Sequence, residues 1–184
     1  LPLILAGIFT LDRQIGQQQH QSLQNTPAAT SCEISLTNPA IARFTGLLRF
    51  KTMSNSASED HIEPGLQNEF TLLLEALERN FPLTHSKLQV EKVGVQGWSR
   101  LFTWKGSDPS LTQPVLFISH YDVVPVTPGT EFEWEQPPWA GNIADGYIYG
   151  RGALDVKYSV AALLEAIEGL LAEGWAPRRT IMLA

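Results

Sequence analysis

One cysteine, Cys32, in 184 residues rules out an internal disulfide and any cysteine-based zinc cluster, and it leaves the redox compartment open. Basic residues are scarce as well. Against 19 Asp and Glu stand 13 Lys and Arg, a formal net charge of -6, so the basic footprint of a nucleic-acid binder is missing and nucleic acid is not expected as a partner. No Asn-x-Ser/Thr acceptor occurs, which removes one sign of secretion without arguing against it. Ser119 beside His120 lacks a Gly-x-Ser-x-Gly elbow, so nothing indicates a serine hydrolase. Internal repeats are absent too. A membrane span needs about 20 apolar residues, and the opening run "LPLILAGIFTL" at 1–11 is too short to span alone. With residues upstream it would be the tail of a signal peptide or of a membrane anchor; without them it is a hydrophobic element packed on the domain.

What remains is an ordinary globular composition, 43% hydrophobic and 17% charged, in a chain long enough for about one domain with a sizeable core. Residues 1–13 are the apolar segment, and residues 14–37, rich in Gln, Ser and Thr without an apolar period, form a polar spacer. The folded part is expected over 38–184. Asn38 and Pro39 open a helix whose Ile41, Phe44, Leu47 and Leu48 share a face. Leu66, Phe70, Leu73, Leu74 and Leu77 repeat at helical spacing until Asn80 and Pro82. Two β-like runs follow at 88–94 and 99–106, with Gly97 and Trp98 in the turn between them. The apolar run Val115 to Ile118 predicts a strand covered on both faces. From Lys157, the residues Val160, Leu163, Leu164, Ile167, Leu170 and Leu171 trace the clearest helix, which Gly174 stops. Another strand opens at Thr180. This order predicts an α/β layered domain with a right-handed crossover.

Chemistry concentrates in two places. In "FISHYDVVPV", 117–126, His120 and Asp122 are two residues apart at the carboxyl end of a strand, so both side chains project from one side toward the edge where α/β sheets collect ligands. A metal-bound imidazole with its other ring nitrogen held by a carboxylate is the use such a pair has; a solvated strand-end pair is the bland alternative. In "YGRGALDVK", 149–157, Gly150 and Gly152 permit a tight turn with close backbone approach. Asp155 then precedes the long helix as either a ligand or a helix cap. His20, His61 and His85 lie in a spacer, a polar loop and a helix end, and are expected to be solvated. Trp134, Trp139 and Pro137-Pro138 are expected to pack the 125–142 loop onto the domain.

Taken together, "SHYDVVPV", Trp134 with "PPWAG" at 137–141, and "GYIYGRGALDVK" resemble the zinc metallopeptidase family of aminoacylase, carboxypeptidase S and the bacterial glutamate carboxypeptidases. The resemblance runs from about residue 39 to the end and is strongest over 113–184. The Trp-and-Pro loop, Lys157 and "GSDPS" at 106–110 are most similar to the carboxypeptidase S and N-acyl-amino-acid hydrolase branch. It implies the N-terminal part of a layered α/β/α zinc-exopeptidase catalytic domain, incomplete at its C-terminal side. It also implies a secretory, vacuolar or membrane-anchored setting, which suits residues 1–11.

The resemblance further implies that His120 is a ligand to one of two zinc ions and that Asp155 bridges both. Asp122 would be the catalytic aspartate that orients His120, and the Asp155–Val156 peptide a candidate for the cis form. Small peptides or N-acyl amino acids would be the substrates, hydrolysed at an amide with a glutamate as general base. That glutamate, a neighbouring zinc-ligand glutamate, a later acidic ligand, a C-terminal histidine and a dimerisation domain would lie beyond Ala184. Two metal-binding residues fall short of the three or four of a zinc site, so the 184-residue chain alone is expected to be inactive. An unpaired strand edge and an exposed apolar face on the last helix are expected to make it aggregate. The alternative is a non-catalytic relative serving as a binding module.

Overall fold

Periodic apolar faces become helices where the sequence places them. The computed structural model describes residues 38–184; the expectations for the apolar segment 1–13 and the spacer 14–37 lie outside them. Helix α1 is Asn38–Leu47, α2 is Gln67–Asn80, and α3, Pro82–Lys87, follows at once because Pro82 fits a first helical turn but not an interior. Helix α4, Tyr158–Ala172, buries Val160, Ala161, Leu164 and Ile167. Its apolar stripe is thus covered rather than exposed, because α1, α3 and the sheet pack against it.

The strands are β1 (Gln89–Val93), β2 (Ser99–Trp104), β3 (Val115–Phe117), β4 (Ile143–Ala144), β5 (Tyr147–Ile148) and β6 (Ile181–Leu183). Four of them form a mixed sheet in the order β1-β2-β6-β3, and β4 and β5 form a separate hairpin. Strand β6 runs antiparallel to β2 and parallel to β3, with Phe102 and Phe117 both opposite Leu183. The chain therefore passes from β3 through α4 to a parallel neighbour, the βαβ unit read from the sequence.

The helices share one apolar core with one sheet face: Leu47, Leu73, Leu77, Phe81, Val160 and Leu164 meet Phe102, Trp104 and Leu183. At about 25 cal/mol per Å² of apolar surface buried, this cluster is the main stabilising term of the fold. The architecture is α/β. The opposite face bears Leu101, Met182 and Leu116, and no residue there is buried among the described residues, so the second helical layer is not seen. Strand β3 departs from its expectation for the same reason. Val115, Leu116, Phe117 and Ile118 are 42%, 51%, 43% and 75% exposed, because among the described residues β3 pairs only with β6, at the end of the sheet order.

Glu168 on α4 ties α3 into this core. Its carboxylate accepts from the Leu83 and Thr84 amides at 2.9 and 2.8 Å and from the Thr84 hydroxyl at 2.7 Å. Helix starts leave amides unpaired and favour negative charge, and Thr84 is fully buried, so water cannot replace the acceptor. Glu168→Ala is expected to cost about 2 kcal/mol, seen as a lower urea midpoint at unchanged m-value; an unchanged midpoint would mean that the latch contributes nothing.

Candidate metal centre

Beyond β3 the chain keeps its sheet pairing for two residues, with the Ser119 amide donating to Ala184 O at 3.0 Å. It then joins the segment after α1. The Thr52 hydroxyl donates to Tyr121 O at 2.5 Å, the Val123 amide to Thr52 O at 2.8 Å, and the Ser54 amide to Val123 O at 3.0 Å. This extended stretch alternates. Tyr121 turns inward beside Phe70, ring centroids 6.3 Å apart, and donates its hydroxyl to Trp98 O; burial pushes its phenol up to about 12. His120 and Asp122 therefore project together on the other side.

The second segment arrives through tight turns. Asp145 and Gly146, at φ 51° and 81°, reverse the β4–β5 hairpin. The Tyr149 amide then donates to Asn142 O and the Arg151 amide to Pro138 O, while the Arg151 guanidinium lies 5.0 Å from the Trp134 ring centroid. The Trp-and-Pro loop is thereby packed as expected. Gly152 has φ +83°, and a Cβ there would stand 2.5 Å from Val123 Cγ1, so glycine is what lets this turn touch the His120 segment. A single wide turn, Ala153–Lys157, closes with the Lys157 amide donating to Gly152 O at 2.9 Å. Such i to i+5 turns recur at functional sites. The Asp155–Val156 peptide is cis.

Between the segments, His120 Nδ1 lies 3.2 Å from Asp122 Oδ1 and 3.1 Å from Asp122 O, while Nε2 lies 3.2 Å from Asp155 Oδ1. Both ring nitrogens face acceptors; with the ring proton on Nδ1, held by Asp122, the Nε2 lone pair would face the Asp155 carboxylate oxygen. Two acceptors at this distance call for a proton or a cation between them. Two donors each about 2.0–2.1 Å from a tetrahedral zinc lie roughly 3.3 Å apart, so the observed spacing and the imidazole–carboxylate chemistry both fit zinc. Asp155 does not cap α4, whose start has no side-chain cap; its carboxylate is 83% exposed. Among the described residues no group of three or more His, Cys, Asp or Glu side chains converges to hold a metal, so the pair is a partial ligand set.

Three features were not foreseen from the sequence. Lys157 is fully buried, its ammonium donating to Leu47 O at 3.0 Å and Phe50 O at 2.7 Å; burial pulls its pKa down to about 7. Its place two residues from Asp155 was legible, but its partners are more than 100 residues away in sequence. His61, expected to be solvated, is exposed yet lines a cleft of about 210 Å³ with His120, Asp122 and Ser119. His85 is not a free solvated side chain: its Nδ1 lies 2.8 Å from Phe81 O and its ring meets Phe102 edge-on.

The profile of Peptidase family M20/M25/M40 matches residues 116–184, the region that holds all three candidate residues. Carboxypeptidase S of Saccharomyces cerevisiae is 36% identical over 150 residues, 80% of this chain and 26% of that protein. The human N-fatty-acyl-amino acid synthase/hydrolase is 36% identical over 187 residues, 99% of this chain and 34% of that protein. The chain thus spans about a quarter to a third of the length of these relatives. Among solved structures, human carnosine dipeptidase 1 superposes with a TM-score of 0.59 at 22% identity, over 78% of this chain and 30% of that one. An M20 family metallo-carboxypeptidase from Sulfolobus solfataricus gives 0.57 at 23%, over 80% and 30%. These two likenesses concern the fold.

Proposed function

This chain belongs to peptidase family M20/M25/M40, and on that premise we propose that it supplies part of the metal centre of a zinc-dependent hydrolase. The bonds cleaved are amides of small peptides or of N-acyl amino acids, the substrates that the names of carboxypeptidase S and the acyl-amino acid hydrolase point to. The observation that carries the reading is the His120 Nε2–Asp155 Oδ1 approach at 3.2 Å, with the other ring nitrogen held by Asp122.

His120 Nε2 and Asp155 Oδ1 would hold one ion, and the second oxygen of Asp155 is open to another. Zinc, when bound, polarises the scissile carbonyl and makes water a nucleophile at neutral pH. Asp122 fixes the ring tautomer and raises the basicity of the donor nitrogen. The cleft beside His120 offers Ser119, Tyr121 and Arg100 as walls for the substrate.

The test is metal removal from the full-length protein, assayed on a panel of dipeptides and N-acyl amino acids. Chelation is expected to abolish hydrolysis and zinc or cobalt to restore it, while residues 1–184 alone give none. Hydrolysis that survives complete metal removal would sink the reading.

A further inference from the structure

Lys157 lies at the crossing of the segments that carry the candidate ligands. Its own turn holds Asp155. Its ammonium donates to Leu47 O at the end of α1 and to Phe50 O in the following turn, and the chain leaving that turn, 52–54, is hydrogen-bonded to the stretch 121–123 beside His120. The lysine stem also flanks Gly152, its Cδ 3.4 Å from where a Cβ would stand. A fully buried amine held by two backbone carbonyls is a costly way to fill a core position that methionine would fill well.

We propose that Lys157 is a positioning residue for the metal centre, holding the 152–157 turn against the end of α1 so that Asp155 meets His120 at ligand spacing. This rests on the metal-centre reading above. Lys157 touches neither metal nor substrate; it acts through the backbone on either side of it.

Zinc affinity of the full-length protein, measured by competition with a chromogenic chelator, tests the proposal together with the absorption spectrum of the cobalt form. Lys157→Met and Lys157→Gln are compared with Thr84→Val, which weakens the remote Glu168 latch. The folded Lys157 variants are expected to bind zinc about 10–100-fold more weakly, the range seen when groups supporting metal ligands are removed. Their cobalt spectrum should change, with Thr84→Val unchanged in both. Wild-type protein that binds no zinc would overturn the metal-centre reading and this inference with it. Tight wild-type binding matched by both Lys157 variants would overturn the positioning role alone. An equal loss in Thr84→Val, or failure of both Lys157 variants to fold, would assign Lys157 to stability and overturn that role as well.

Discussion

Alanine at His120 is expected to lower amide hydrolysis by the full-length protein about 10³-fold or more, roughly 4 kcal/mol of transition-state stabilisation. The size follows from what one imidazole does here. On the proposed reading it would supply the lone pair of Nε2 to a metal, and it lies within 3.2 Å of both Asp122 Oδ1 and Asp155 Oδ1. On that reading, removing it would delete a ligand and strip Asp122 of the group it orients. Asp122→Asn keeps the imidazole, and its loss should be smaller, about 10–100-fold, because an amide still accepts from Nδ1 while adding no charge. The order of the two effects carries the assignment. Equal losses at both positions would make Asp122 a direct participant, and a His120→Ala enzyme within tenfold of wild type would remove the histidine from the centre. Circular dichroism separates either result from unfolding, since His120 is half exposed and no core contact is lost with it.

How far the sequence could lead depended on whether each signal was local. Two-residue alternation placed His120 and Asp122 on one side because strand geometry allows nothing else, and Tyr121 turning inward is the same rule seen from the other side. The stripe on α4 was legible because six apolar residues at helical spacing have one way to be buried together. The exposure of β3 was not legible. Four consecutive apolar residues signal a covered strand, and only the sheet order, which places β3 at an edge, says otherwise. The role of Lys157 was hidden for a similar reason: hydrogen bonds to backbone carbonyls leave no trace in side-chain identity. His61 shares the cleft of His120 through a polar loop that has no periodicity to read.

Gly152→Ala is expected to destabilise the domain by about 3 kcal/mol or more, combining a left-handed backbone that alanine disfavours with forced overpacking, each worth about 1–3 kcal/mol. At φ +83° the new Cβ would stand 2.5 Å from Val123 Cγ1, and Val123, only 3% exposed, has no free space to yield into. The clash lies where the Asp155 turn rests on the His120 segment, so relief by separation would open the 3.2 Å approach of Nε2 to Oδ1 and weaken zinc binding as well as stability. A double-mutant cycle with Val123→Ala isolates the steric part. Shortening the valine makes room for the alanine while leaving the backbone cost, so the pair should lose less than the sum of its members, with a coupling of about 1–2 kcal/mol. Strict additivity would show that the contact with Val123 does not set the turn's position, and the juxtaposition of His120 and Asp155 would then need another cause.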